Sequence, residues 1–265
     1  MIIGQAFTRI LDYPITDDRT IKQCILEDDL PRFEAWKKDL AKQKYPPSVL
    51  IQILDLMVSW SYFRERRVRA FHERLRQEKI EVDDITIELL RSDRFKKLLH
   101  DVSTPRNDVL GRVNVLLTQL SKVSLKLWLE DRHAKTDDED DYLKEIHFGH
   151  KGINNLLRDC GFFDRAPIDV HEQRFLSRTG VHATYSKRGD PLSKSDYHEA
   201  LTNFCRKELT GLKVGQYDPG STPGLADLAI WYFCARNHGN VCASTPNCNI
   251  CPIRESCLFG KSHRG

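Results

Sequence analysis

Apolar residues along this chain recur mostly at three- and four-residue intervals, the spacing that gathers side chains on one face of an α-helix. Ile153, Leu156, Leu157 and Cys160 make one such face, and Gly161 comes next, where a helix needs a left-handed stop. Val109, Leu110, Val113, Leu116, Leu117 and Leu120 make a second. Tyr197, Ala200, Leu201, Phe204 and Cys205 make a third. Residues 49–63 are apolar almost all round, which suits a helix inside a bundle. Residues 30–41 and 85–99 add shorter helical patches. Pro223 at a first helical position and Gly239 beyond the end bracket another helix. One segment breaks the pattern: residues 123–130, VSLKLWLE, alternate like a strand, which in an all-helical context suggests an insertion and leaves its structure open.

Punctuation and caps refine the picture. The run Tyr45-Pro46-Pro47-Ser48 separates an N-terminal segment from the remainder of the chain. Pro105 is expected to open the helix that carries Val109. Asp169 with Glu172 three residues on reads as an N-cap and capping box, as do Thr136 and Glu139 beside the acidic run 137–141. Phe63, Val68, Phe71 and Leu75 form an apolar stripe, with Arg64, Arg66, Arg67, Arg69, Arg74 and Arg76 around it. That is either a solvated face or a phosphate-facing one. Asp55, inside an apolar helix, is expected to be a paired structural carboxylate.

Composition changes this picture little. The chain has 265 residues, 30% charged and 40% apolar, with a net charge of +3. So small an excess does not require a nucleic-acid partner, and any DNA affinity must come from local clusters. The apolar run 228–235 is too short to span a bilayer, and no signal peptide is evident. A soluble, intracellular (cytoplasmic, nucleoid-associated) monomer with no membrane association is expected.

The chemistry concentrates in two places. Cys242, Cys248, Cys251 and Cys257 are spaced C-x5-C-x2-C-x5-C. Four thiolates suit a [4Fe-4S] cluster or a tetrahedral zinc. Zinc sites more often use two C-x2-C pairs, so the layout leans toward iron–sulfur. Cys24, Cys160, Cys205 and Cys234 read as reduced core residues. The second place is residues 145–175, where Lys151 stands at the mouth of one short helix and Asp169 at the mouth of the next. A helix over residues 152–160 climbs roughly 14 Å at ~1.5 Å per residue. The next eight residues can span up to roughly 26 Å extended, so the chain can return and bring amine and carboxylate to one cleft.

Residues 145–175 resemble the helix-hairpin-helix and catalytic segment of the endonuclease III-like DNA glycosylases. The match lies at Gly149, Lys151, Asp169 and His171, with the cysteine array near the C-terminus. His147 stands where the family hairpin usually has its first glycine, and the first cysteine gap is one residue shorter than the usual C-x6-C-x2-C-x5-C. The resemblance implies an all-α helix-hairpin-helix glycosylase fold. A six-helix barrel would occupy residues 46–163, with the hairpin at about 141–161. A second helical domain, 164–265, would carry the cluster loop 242–257, and residues 1–45 would pack with it.

It also implies roles. Lys151 is the amine nucleophile and Asp169 the carboxylate that stabilises charge on the sugar. His147, Gly149 and His150 lie at a hairpin tip that meets DNA. Ser61 would wedge into the duplex, Arg64 and Arg254 would meet phosphates, and His171 would be a hydrogen-bond partner near the site. A [4Fe-4S] cluster on Cys242, Cys248, Cys251 and Cys257 would be structural. The implied activity is a base-excision-repair glycosylase with AP-lyase chemistry on duplex DNA containing a damaged, by default oxidised, base. PIDVH (residues 167–171) also looks like the matching segment of 8-oxoguanine glycosylases, which makes an oxidised purine the alternative substrate. A base modified as in phage DNA, a non-catalytic DNA-binding module and an iron–sulfur sensor are the remaining readings.

Overall fold

The computed structural model describes residues 3–16, 18–59, 64–104, 107–135, 146, 148–182 and 192–262. Among the described residues all named elements are helical; three isolated bridges occur and no strand. In chain order the α-helices are α1 (Ile3–Leu11), α2 (Ile21–Cys24), α3 (Leu30–Lys42), α4 (Pro47–Val58), α5 (Arg64–Gln77), α6 (Ile87–Arg91) and α7 (Asp93–Val102). They continue with α8 (Val109–Leu120), α9 (Leu125–Ala134), α10 (His150–Asp159), α11 (Val170–Thr179), α12 (Lys194–Phe204), α13 (Pro223–Cys234) and α14 (Leu258–Ser262). Wider π turns, Ile25–Asp29 and Cys205–Leu209, join α2 to α3 and extend α12. No described helix is long and apolar enough to cross a membrane.

The chain divides into two compact units, Met1–Phe33 with Phe162–Gly265, and Glu34–Gly161. The N-terminal division falls within α3 and not at the Tyr45–Pro46 punctuation. Residues just beyond Phe33 explain this, because they are tied to the second unit. Asp39 accepts the Ser48 hydroxyl at 3.0 Å, the Lys44 carbonyl accepts the Leu125 N–H at 3.0 Å, and Tyr45 donates its hydroxyl to the Leu120 carbonyl.

In the first unit, α1, α11 and α13 share one apolar core with the π turn after α12. Phe7 and Phe175 are fully buried and meet edge to face at 6.5 Å, with Phe204 6.1 Å from Phe7. Helix α13 is buried almost all round and starts on Pro223, as its sequence predicts. Asp29 lies under this core and accepts the Tyr232 hydroxyl at 2.9 Å.

In the second unit, α4 is the interior helix. Val49, Leu50, Ile53, Leu54 and Met57 are all buried, and α5, α8 and α10 pack against it. Its last carbonyls would be orphaned at a buried helix end. Asn107 donates to the Met57 and Val58 carbonyls (3.3 and 3.4 Å), and Arg112 donates to Met57 (3.3 Å). Asp55 pairs with His72 Nε2 at 2.8 Å, the structural pairing expected of it. Pro105 and the 136–145 segment lie outside the described residues; α8 starts on Asp108, whose carboxylate accepts the Gly111 N–H at 2.9 Å.

The segment 123–130, open between a strand-like alternation and a helical context, is part of a helix, α9 (Leu125–Ala134). Ser124 caps it by accepting the Leu127 N–H at 3.3 Å. Leu125, Trp128, Leu129 and Arg132, at helical spacing, are the residues it buries. Packing against α8 and α10 overrides the local alternation.

Phe7 anchors the first unit, so Phe7→Ala should lower stability by roughly 3–5 kcal/mol, the usual loss for an emptied core phenylalanine. A urea melt on the full chain checks it; a shift below about 1 kcal/mol would mean that the aromatic cluster is not central to the core.

Candidate active site and cysteine loop

Helix α10 begins on Gly149, an N-cap with extended backbone (φ −74°, ψ 173°) and no side-chain cap. The Gly149 carbonyl accepts from the Gly152 N–H at 2.8 Å. Among the described residues a Cβ at Gly149 would meet nothing within 4 Å, and glycine there keeps side-chain bulk away from the helix mouth. Lys151 is the second residue of α10 and is half-buried; His150 is the first, and its carbonyl accepts the Asn154 side chain at 2.8 Å. Below them Ile153, Leu156 and Leu157 are buried as the sequence predicts, and Gly161 takes the left-handed conformation (φ 95°).

A buried pair locks the far end of α10. Arg158 donates to Asp159 at 2.7 and 2.9 Å, and Gln52 of α4 donates to the same carboxylate at 3.3 Å. His147 and Ser61 lie outside the described residues. Arg64 is the first residue of α5, and its side chain is likewise outside the described part. Ile146, from the expected first hairpin helix, is buried, whereas Tyr142 and Leu143 are outside the described residues.

Asp169 is the N-cap of α11, in the other unit. Its carboxylate accepts the His171 N–H at 2.6 Å, and its own N–H donates to Glu172 Oε2 at 2.7 Å. This is the capping box read in the sequence. The helix ends at Gly180 (φ 82°), a left-handed stop pressed against Leu258. His171 is half-buried beside the cap. Lys151 and Asp169 therefore each sit at a helix start, one in each unit.

Two features of α11 were not legible in the sequence. Glu172 is 1% exposed, and so is Asp227 of α13. Burial above all, then the charges of Asp227 and Asp169, push the Glu172 carboxyl well above the ordinary carboxylate range. The sequence offered one signal, an aspartate in the otherwise apolar run of residues 223–234. The other feature is Arg178. It donates to the carbonyls of Cys242, Ala243 and Ser244 at 3.2, 2.6 and 3.0 Å, and its guanidinium lies over Phe259.

That arginine holds the start of the cysteine loop. Cys242, Cys248, Cys251 and Cys257 line one small cavity together with Arg178 and Phe259. None of the eight cysteines is in a disulfide. Among the described residues no group of three or more His, Cys, Asp or Glu is gathered to hold a metal ion. The donor set nevertheless suits a thiolate-bound cluster, whose ligands stand around a cube instead of converging on one ion. A hydrogen bond from the Cys234 thiol outweighs burial and, with Arg178, holds Cys242 down at about 6. Burial pushes Cys251 up to about 12. Cys234, read from sequence as plain core, thus touches the loop. Arg254 is half-buried within it and donates to Asn249 at 3.4 Å. A separate groove of about 500 Å³, lined by Thr179, His182, Asp196 and Lys207 among others, holds none of the candidate site residues.

No protein-family model matches this chain, and no curated protein does. Among solved structures, the crystal structure of the 8-oxoguanine DNA glycosylase of Thermotoga maritima is similar at 19% identity, over 82% of this chain and 94% of that one, with a TM-score of 0.48. At that level the likeness decides nothing, and the functional reading rests on the residues above.

If Arg178 is the clasp of the loop, Arg178→Ala should destabilise the protein by roughly 1.5–3 kcal/mol, the worth of a hydrogen bond from a charged donor. The urea midpoint should fall with an unchanged slope. An unchanged midpoint would show that the loop holds itself.

Proposed function

We propose that this chain is a helix-hairpin-helix DNA glycosylase with AP-lyase activity, acting on a damaged base in duplex DNA. What supports it is that Lys151 stands in the first turn of a helix with no side-chain cap and Asp169 is the N-cap of the next described helix. Residue type, order and spacing resemble those of the endonuclease III-like glycosylases at these positions.

In this reading the hairpin tip meets phosphate. The first N–H groups of a helix lack intrahelical acceptors and favour an anion. Gly149 leaves them room. The target nucleotide leaves the stack, at a cost of a few kcal/mol that a damaged pair reduces. Departure of the base builds positive charge on the sugar, and the Asp169 carboxylate stabilises it. The Lys151 amine, having shed its proton, attacks C1′ as the C1′–N bond to the base breaks. The leaving base takes up a proton. Ring opening gives a Schiff base between Nζ and C1′. Loss of a C2′ proton then expels the 3′ phosphate, and water hydrolyses the Schiff base to free the lysine.

An oxidised pyrimidine is the default substrate. The second reading, 8-oxoguanine, draws support from the PIDVH segment, residues 167–171. In either case Cys242, Cys248, Cys251 and Cys257 would hold a [4Fe-4S] cluster. When bound, it would cross-link the loop, with Arg178 donating to Cys242 Sγ at 3.5 Å from outside. Arg254 would then be available to a phosphate from the same loop.

Borohydride treatment of the protein with labelled lesion duplexes should trap a covalent adduct, and Lys151→Gln should abolish it. Asp169→Asn should slow base release by roughly 10²–10³-fold, the usual effect of removing a preorganised charge stabiliser. No adduct with any lesion, a plain abasic site included, would overturn the proposal. Separately, protein purified without oxygen should contain ~4 iron and ~4 sulfide per chain. Cys248→Ser should lower both; zinc in their place would overturn the cluster assignment but leave the glycosylase reading standing.

A further inference from the structure

We infer that Glu172 is a positioning residue, a neutral carboxylic acid that hydrogen-bonds the Asp169 side chain and fixes the direction in which that carboxylate points. The inference rests on the glycosylase reading above and extends it to a residue outside the matched motif.

Geometry comes first. Glu172 Oε2 accepts the Asp169 N–H at 2.7 Å, while Oε1 is fully buried with no hydrogen-bond partner. The capping box sets the Asp169 and Glu172 carboxyl groups side by side, and burial first, then the Asp227 charge from α13 and that of Asp169, push the Glu172 carboxyl well above the ordinary range. Three carboxyl groups thus share one place, two of them 1% exposed. An ionised Glu172 would be a buried anion with a bare oxygen beside two more anions, which is strongly unfavourable. A protonated Glu172 resolves the conflict, because it becomes a donor that Asp169 can accept.

The neighbours leave this arrangement intact. Helix α13 brings Asp227 and the Cys234 thiol, and Cys234 feels the Glu172 charge. Helix α12 meets α11 through Tyr197 at Ser177, and α14 meets it through Leu258 at Gly180, both toward the opposite end from Glu172. On α11 itself, Arg178 is turned to the cysteine loop. A capping box needs only an acceptor at Glu172; a donor is an additional property, and it separates positioning from plain capping.

The pH effect has a definite sign. The folded protein keeps a proton that the unfolded chain releases in the ordinary carboxylate range, so stability falls as pH rises above that range. Ionised Glu172 would also stop donating to Asp169 and repel it, so turnover falls on the alkaline side.

Glu172→Gln presents a permanent donor and acceptor in the same shape. Three measurements on the full chain test the idea. Wild type at neutral pH should show the infrared C=O band of a protonated carboxyl, absent in Glu172→Gln. Glu172→Ala should lose roughly ten- to a hundredfold in kcat with little change in KM, the size expected for one hydrogen bond to a charged group. Glu172→Gln should recover most of that loss and flatten the alkaline decline of both turnover and Tm. A wild type without the band, a Gln variant as slow as Ala, or an alkaline limb kept by Gln would each overturn the inference. If Glu172→Ala does not fold, the band and the Gln profile still decide. A wild type that releases no base from any lesion overturns the glycosylase reading, and the positioning role falls with it whatever the band shows.

Discussion

A buried carboxyl group has to find either a cation or a proton. At the start of α11 the described structure gives Glu172 carboxylates for company, Asp169 beside it and Asp227 across from it on α13. Much of the first unit is arranged around that constraint. The core closes over α11 through Phe175 and Leu176, both fully buried, so the capping box cannot swing out to water. Water would otherwise solvate Glu172 and Asp227, the two acids that are 1% exposed. On the inference drawn above, the packing that stabilises the helix also keeps a proton on its first turn.

Helix α11 also links two places that look separate in the sequence. Asp169 caps its first turn, and Arg178, nine residues on, grips the carbonyls of residues 242–244. At ~1.5 Å per residue that is roughly 13 Å of helix. Order in the cysteine loop and order at Asp169 thus lie on one stiff element. Cys257 Sγ lies 3.2 Å from the Arg178 carbonyl oxygen, so both ends of the loop adjoin α11. On the proposed reading, a cluster bound by the four cysteines would brace the aspartate's helix without contributing an electron or an open coordination site.

What was legible in the sequence is what local spacing controls. The face Ile153, Leu156, Leu157 and Cys160, the stop at Gly161, the capping box at Asp169 and the start at Pro223 each depend on residues within one or two turns. Residues 123–130 are ambiguous because VSLKLWLE satisfies two periods at once. Its alternation is visible in eight residues, whereas the helical stripe needs Leu125, Trp128, Leu129 and Arg132, and the last lies beyond the window. The burial of Glu172, the grip of Arg178 and the loop contact of Cys234 were not legible for a different reason. A charged residue on a helix reads as solvent-facing by default, and a lone cysteine as core. Only contacts with distant chain segments, Asp227 for the first and the 242–244 carbonyls for the second, give them another meaning.

The two helix starts make opposite use of the same physics. Both α10 and α11 present the positive end of a helix dipole at their first turn. At α11 that end is filled from within, since the Asp169 carboxylate takes the His171 N–H and Glu172 closes the box behind it. At α10 the cap is Gly149, which brings no side chain and leaves space where a Cβ would stand. A filled start holds its own anion in a fixed direction; an open one is suited to an anion brought from outside. On the proposed reading each has its use, the carboxylate for the cationic sugar and the glycine-capped start for the backbone phosphate. A lysine beside the open seat has its amine close to whatever that phosphate carries. Exchanging the two caps would leave both helices intact and remove that division of labour, which is why the choice of Gly149 and Asp169, more than the helices themselves, bears the functional reading.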